Sequence, residues 1–267
     1  MPRRTETLSD YLLKGAVNES KRRSTVQLVE EFARTTKTTR AGAVPPLADL
    51  LRMGEVPLRL YLTLVMMTAK PEENGVARPL HRETAPSHFA EMLGYDDLAD
   101  GVNPPGAGTR RVQRAMEALR DKGYIELRKE PGHYPKIAVV HPGAGSDPTP
   151  PYITIPIEIW KNGWITALSA RTLATYVALR LVTIGKEQGE GQHLPPYERD
   201  RFQLSPDTWQ RGTKELAAKG LLEVRPGIVE TRGLRSRHRN VYYMNFDRVR
   251  YERPTDSPSP IQPLETL

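Results

Sequence analysis

The chain contains no cysteine among its 267 residues. This absence excludes disulfide bonds, thiolate zinc sites, iron–sulfur clusters and a cysteine nucleophile, and it suits a reducing compartment. No apolar run approaches the roughly 20 residues that a membrane-spanning helix needs. The opening residues, MPRRTETLSD, also lack the apolar stretch of a signal peptide. We therefore expect a soluble cytoplasmic protein with no membrane partner.

Signatures of catalysis are also missing. The six histidines are scattered, with neither the His-x-His spacing of rolling-circle nickases nor a His-Glu-x-x-His motif. No GxxxxGK[ST] loop is present, and solvation accounts for the acidic cluster Asp96, Asp97 and Asp100 in a glycine-rich segment. Sequence alone does not exclude carboxylates that converge on Mg²⁺ in the fold. We nevertheless expect no catalytic residue, no metal and no cofactor, and hence no enzymatic activity.

What the chain has in excess is positive charge. Its 39 lysines and arginines outnumber its 32 acidic residues and give a formal net charge of +7. Such an excess suits a polyanionic partner such as nucleic acid. Charge by itself leaves open a basic surface that binds nothing in particular.

Two segments that lie 97 positions apart have related sequences, QRAMEALRDKGYIELR at 113–128 and QRGTKELAAKGLLEVR at 210–225. Seven of the sixteen aligned residues are identical. Each copy combines a basic amphipathic helix, a Lys-Gly pair and a short strand of alternating apolar and polar residues. This order is typical of a winged helix-turn-helix, in which the recognition helix is followed by a β-hairpin wing.

Changes in composition divide the chain. The prolines and glycines of GAGSDPTPP mark the clearest boundary. Around residues 24–33, Val26, Val29 and Phe32 recur at helical spacing and predict a helix ahead of a linker at 35–46. The predicted divisions are a basic helical or flexible N-terminal extension (1–55), a first module (56–142), a linker (143–151), a second module (152–249) and a disordered tail (250–267).

Each module is expected to hold the helices and the hairpin of a winged helix. An apolar helix opens both modules, and Ser205 and Pro206 are the predicted N-cap and first residue of the second recognition helix. The remaining predicted elements are apolar helices at 58–68 and 175–183, first helices of the helix-turn-helix at 84–93 and 196–202, a basic helix at 109–122, a first hairpin at 124–130 and 136–140, and a returning strand at 240–246.

The polar side of each basic helix carries candidate base-reading residues. Arginine can bind guanine O6 and N7 bidentately, and glutamine can bind adenine N6 and N7 in the same way. A Gln-Arg pair at matching positions of both copies therefore suits base recognition, whereas the alternative is a solvated helix without a ligand. The candidates are Arg110, Arg111, Gln113, Arg114 and Glu117 in the first copy and Thr208, Gln210, Arg211 and Lys214 in the second.

Cationic residues also cluster in the predicted wings and near the N-terminus. Four arginines within eight residues of the second wing suit phosphates or a narrow minor groove, although a mobile basic loop would have the same composition. The basic N-terminal segment would either follow the DNA backbone as an arm or remain a solvated tail. The candidates are Arg128, Lys129 and Lys136 in the first wing, Arg232, Arg235, Arg237, His238 and Arg239 in the second, and Lys21, Arg22 and Arg23 in the arm.

Three further side chains have two interpretations each. Asp207 occupies the position of Arg110, where it would accept a hydrogen bond from cytosine or stabilise the positive end of its helix, and the second role is favoured. Trp160 and Trp164 would suit base stacking in isolation. Their place just before an apolar helix favours the protein core instead.

Over about 56–249 the segments TAPSHFAEMLG, TRRVQRAMEALRDKGYIEL and SPDTWQRGTKELAAKGLLEV resemble winged-helix DNA-binding proteins. With YITIPIEIW and LATYVALRLV ahead of the second copy, the tandem arrangement is similar to theta-type plasmid replication initiators. The resemblance implies a mainly α protein with small β-hairpin wings (α+β) and two tandem winged-helix domains. It also implies binding to repeated double-stranded origin sites and formation of a homodimer.

The sequence thus favours a nucleoid-associated replication initiator of a plasmid or another mobile element, with double-stranded DNA and replication or partition proteins as partners. A transcriptional regulator or a partition (centromere-binding) protein is the main alternative. A protein-interaction scaffold is the alternative from a different class, since winged helices also dock proteins.

Overall fold

The computed structural model describes residues 6–37, 39, 42–68, 78–80, 84–95, 106–128, 130–140, 152–186, 189–231 and 235–254. In this part of the chain helices dominate, and the strands form small antiparallel sheets. The expectation of a mixed α and β structure is therefore confirmed. The predicted linker at 143–151 lies outside the described residues.

The N-terminal segment contains both helices and a strand. Helix α1 (Leu8–Glu19) begins at a capping box formed by Thr7 and Asp10. The later elements are β1 (Thr25–Val29), α2 (Glu30–Ala33) and α3 (Pro46–Met53). The single helix predicted at 24–33 is therefore wrong over β1, whose β-branched residues pair with a strand much later in the chain.

This N-terminal segment packs against the rest of the molecule. Strand β1 pairs antiparallel with β5 (Tyr152–Pro156), and Leu13 and Phe32 are fully buried in the shared hydrophobic core. Arg34 forms an ion pair with Glu198, 2.6 Å away. The residues expected to form an extension thus contribute to the core, while the limits of the domains stay a prediction.

The first unit runs from α4 to β4. Its elements are α4 (Glu55–Met67), β2 (Arg78–Pro79), α5 (Pro86–Met92), α6 (Ala107–Asp121), β3 (Ile125–Arg128) and β4 (Lys136–Val139). The strands form an antiparallel sheet in the order β2-β4-β3. The predicted apolar helix, basic helix and hairpin of this unit are confirmed, with ends that differ by a few residues.

The second unit runs from α9 to β8 and repeats this order of elements. Its elements are α9 (Ala170–Val182), β6 (Gln192–His193), α10 (Pro196–Asp200), α11 (Pro206–Ala218), β7 (Leu222–Thr231) and β8 (Arg235–Met244). Its sheet has the order β6-β8-β7, which matches that of the first unit. The short helices α7 (Glu158–Lys161) and α8 (Trp164–Ala167) precede it, and α12 (Phe246–Tyr251) follows it.

The two units meet through their first helices, α4 and α9. Trp160 and Trp164 are fully buried, as predicted, and Trp160 Nε1 donates a hydrogen bond to Thr63 Oγ1 of α4 at 3.2 Å. Arg59 of α4 donates to the carbonyl of Leu168 at 2.6 Å. Residues from both units therefore share one continuous core.

Two further expectations concern the membrane and the C-terminal tail. None of the helices in the described ranges combines the length and the apolar character that crossing a bilayer requires. Helix α12 covers residues 250 and 251 of the predicted tail, and residues 255–267, for which the tail stays a prediction, lie outside the described part.

Candidate nucleic-acid interface

The two sequence copies have the same local structure. Both helices end at a Lys-Gly pair in which the glycine has a positive φ, 75° at Gly123 and 70° at Gly220. The next residue closes the helix end in both copies: Tyr124 N donates to Leu119 O at 2.8 Å, and Leu221 N donates to Leu216 O at 2.9 Å. Because L side chains rarely adopt this φ, the repeated position of Lys-Gly sets where each helix stops.

The hairpins that follow the two helices also have equivalent strand pairing. In the first copy Ile125 lies opposite Val139, and in the second Leu222 lies opposite Met244. The sequence repeat therefore corresponds to a structural repeat of a helix, a glycine stop and a returning hairpin.

Helix α6 buries one side and exposes the other. Val112, Ala115 and Leu119 are buried, whereas the polar side is open to solvent. Its exposed candidate residues are Arg110, Arg111, Gln113, Arg114 and Glu117.

The exposed arginines of α6 differ in their partners. The guanidinium of Arg111 lies over the ring of Tyr95, 5.0 Å from its centroid. Among the described residues, neither Arg110 nor Arg114 forms an ion pair. Two guanidinium groups on this surface are thus available to an outside acceptor.

Helix α11 presents a similar surface that is partly neutralised. Gln210, Arg211 and Lys214 are exposed, with 64% of the Arg211 side chain accessible. Arg211 Nε lies 2.7 Å from Asp207 Oδ1, and Arg171 lies 3.7 Å from the same carboxylate. Asp207 stands in the first turn, where a negative charge is favourable. Its pairing agrees with the structural role expected for it.

The start of α11 is fixed by its N-cap, as predicted. Thr208 N donates to Ser205 Oγ at 3.1 Å, and Pro206 occupies the first turn. Thr208, a candidate base reader, is half-buried beside this cap, and its hydroxyl lies 3.0 Å from Ser205 Oγ. It is therefore less accessible than Gln210 or Arg211.

Close packing on α9 fixes the position of α11. A Cβ atom at Gly212 would lie 2.1 Å from Thr175 Oγ1, so the two helices approach too closely for any side chain there. Ala115 takes the corresponding place in the first copy and is buried. The sequence gives no sign of this contact, because Thr175 lies far from Gly212 along the chain.

Glu215 forms a second fixing contact that sequence reasoning missed. Its carboxylate accepts hydrogen bonds from Ser169 N at 3.1 Å, Ser169 Oγ at 2.6 Å and Thr172 Oγ1 at 2.6 Å, at the start of α9. Burial alone would raise the pKa of Glu215, but the hydrogen bonds from Ser169 and Thr172 outweigh it and hold the pKa below its ordinary value. Glu215 is therefore a structural residue of α11 rather than part of its exposed side.

Arg248 of α12 holds the other end of α11. Only 1% of the residue is exposed, and its Nε donates to the carbonyl of Lys219 at 3.2 Å. Its guanidinium forms an ion pair with Glu252 and lies 5.5 Å from the ring centroid of Trp164. The sequence gave no signal for this role, because Arg248 and the exposed Arg250 look alike in it.

The first hairpin carries fewer available cations than predicted. Arg128 is exposed but lies 3.5 Å from the carboxylate of Glu126. Lys136 forms an ion pair with Glu130 at 2.7 Å. Lys129, the third candidate in this hairpin, lies outside the described residues.

The second hairpin is much longer, with two paired strands of ten residues each. Arg225, near its base, forms an ion pair with Glu223 and lies 4.8 Å from the ring centroid of Tyr243. Arg239 is half-buried. The other candidates in β8 are Arg235, Arg237 and His238, and Arg232 lies outside the described residues.

The basic N-terminal cluster is not a free arm throughout. Arg22 donates to the carbonyls of Val65, Met66 and Thr68 at 2.9, 2.8 and 2.6 Å, at the C-terminal end of α4. The last carbonyls of a helix lack N–H partners within it, so a cation is favourable there. Arg22 therefore caps the end of α4, and its contact with DNA stays a prediction, while Lys21 and Arg23 are exposed.

In the described ranges no three histidine or acidic side chains are grouped in a way that would hold a metal ion, and Asp96, Asp97 and Asp100 lie outside those ranges. Comparisons with protein-family models, with curated proteins and with solved structures find no match to this chain.

Proposed function

We propose that this chain binds double-stranded DNA sequence-specifically, with α6 and α11 as the recognition helices of two winged helices. The observation that carries the proposal is the pair of equivalent, exposed Gln-Arg dipeptides, Gln113-Arg114 and Gln210-Arg211, on helices whose opposite sides are buried. The repeated sheet orders β2-β4-β3 and β6-β8-β7 support it, since each places a hairpin directly after the basic helix. An α-helix of this kind fits the major groove, which is about 12 Å wide.

The role that we propose is replication initiation on a plasmid or another mobile element. Two readers on one chain suit successive major-groove sites about 10 bp apart. The resemblance to theta-type initiators supports repeated origin sites, association with the nucleoid and pairing with a second copy. A transcriptional regulator or a partition protein would use the same two helices on a single operator or a centromere.

Selection of genomic fragments followed by footprinting tests this function. We expect a saturable site with a Kd of about 10⁻⁸–10⁻¹¹ M near 150 mM salt, at least about 10³-fold tighter than unrelated duplex. Direct repeats beside an AT-rich tract would favour an initiator, and a lone promoter operator would favour a regulator. A chain without saturable duplex affinity under these conditions would contradict the proposal and favour a protein-interaction scaffold.

The second hairpin is expected to contact DNA phosphates. Replacement of Arg235, Arg237 and Arg239 by glutamine should lower the slope of log K against log salt by roughly 0.9 for each phosphate that the variant no longer neutralises. The measurement is the Kd of one duplex at several salt concentrations. Arg225→Gln is the matched control, because Arg225 lies in the same hairpin but is already paired with Glu223. An unchanged slope in the triple variant would remove this hairpin from the interface.

A further inference from the structure

A cleft in the second unit combines cationic and apolar walls. It has a volume of about 280 Å³ and lies between α10 and the hairpin β7–β8. Its polar lining consists of His193, Arg199, Arg239 and Asn240. Neither α6 nor α11 contributes to it, so the cleft is separate from the surfaces proposed to read bases.

In the described part of the chain, no carboxylate balances the charge in this cleft. No aspartate or glutamate lines it, and neither Arg199 nor Arg239 forms an ion pair with any described residue. Other half-buried arginines have protein partners, for example Arg34 with Glu198 and Arg201 with the carbonyl of Thr35. The cleft therefore contains two half-buried guanidinium groups and no lining carboxylate. Such a cleft would favour binding of an anion from outside the protein.

We propose that this cleft binds a phosphate group between the side chains of Arg199 and Arg239. The planar fork of a guanidinium matches phosphate oxygens, and two forks would neutralise a doubly charged group. The ring of Tyr242 and the prolines Pro196 and Pro226 supply apolar walls for an attached sugar or base. Pockets for drug-sized ligands have volumes of roughly 300–1,000 Å³. The cleft is at the lower end of this range, so its occupant is small, at most about one nucleotide.

Two sources would supply this phosphate, a free phosphorylated ligand or a phosphodiester of bound DNA. The first arm of the test titrates the full-length chain with inorganic phosphate and with deoxyadenosine 5′-monophosphate by calorimetry. We expect saturable binding by the wild-type chain, and an affinity at least tenfold lower in the variant Arg199→Gln, Arg239→Gln. The control is Arg250→Gln, because Arg250 is exposed and does not line the cleft. Thermal melts of all variants establish that they are folded.

The second arm rests on the proposed duplex binding and uses Arg199→Gln alone, since Arg199 lies outside the hairpin. If the occupant is a DNA phosphodiester, free ligands bind weakly and this variant lowers the salt slope by roughly 0.9 relative to Arg250→Gln. Free-ligand binding by a chain that binds no duplex would support the cleft and contradict the proposed function. The inference is overturned if the cleft variants match Arg250→Gln in both arms, or if the wild-type chain binds neither duplex nor free ligand.

Discussion

The variant Arg114→Ala, Arg211→Ala is expected to lose about 2–6 kcal/mol of binding free energy on a cognate duplex, because each base-reading arginine contributes about 1–3 kcal/mol. The two residues lie in different units, so their effects should add. At about 1.4 kcal/mol per factor of ten, the Kd rises between roughly 30-fold and roughly 2 × 10⁴-fold. Fluorescence anisotropy with cognate and unrelated duplexes measures it, and the unrelated duplex should change little.

Arg120→Ala is the matched control for this variant. Arg120 is exposed near the C-terminal end of α6 but is paired with Asp121 at 2.7 Å. Arg120→Ala should therefore change the Kd for the cognate duplex by less than Arg114→Ala or Arg211→Ala alone. Equal losses on cognate and unrelated duplexes would show that Arg114 and Arg211 contact phosphates rather than bases.

Asp207 makes the two candidate arginines, Arg114 and Arg211, unequal. With Arg211 Nε held at 2.7 Å by Asp207, the terminal nitrogens of Arg211 remain available for an end-on bidentate contact. The equivalent position in α6 is Arg110, which adds positive charge instead of orienting its neighbour. Under the proposed function, the first helix would gain more from attraction to phosphates, whereas the second would gain from a restrained side chain.

The elements of this candidate interface were predictable because local chemistry determines them. The buried residues of α6 and α11 recur at helical spacing, Ser205 and Pro206 mark a helix start, and Gly220 marks its end. The alternating apolar and polar residues directly after each helix predict the hairpins. These signals lie within a few residues of the structure that they specify.

Long-range partners were not predictable in the same way. Val26, Val29 and Phe32 fit a helical period, but pairing of β1 with β5 gives residues 25–29 an extended conformation. No local signal reveals the partner strand. Arg22 and Arg248 bind backbone carbonyls, whose positions depend on the whole fold. An arginine that caps a helix and one that faces solvent have the same appearance in the sequence.

Arg248→Ala is expected to lower the free energy of unfolding by about 3–5 kcal/mol, the usual effect of breaking a buried charge pair. The change leaves Glu252 without its partner, the carbonyl of Lys219 without its donor and a cavity beside Trp164. Each of these effects loosens the packing of α12 on the end of α11. Urea unfolding followed by circular dichroism measures the result.

Two further variants separate charge from packing at this position. Arg250→Ala removes an exposed arginine from the same helix and should change stability by no more than about 0.5 kcal/mol. Arg248→Lys keeps the charge but lacks the planar fork, so we expect a loss between those of the two alanine variants. If Arg248→Ala were as stable as Arg250→Ala, the buried guanidinium would not hold α12 against α11, and the position of α11 would depend on its other contacts, such as those of Gly212 and Glu215.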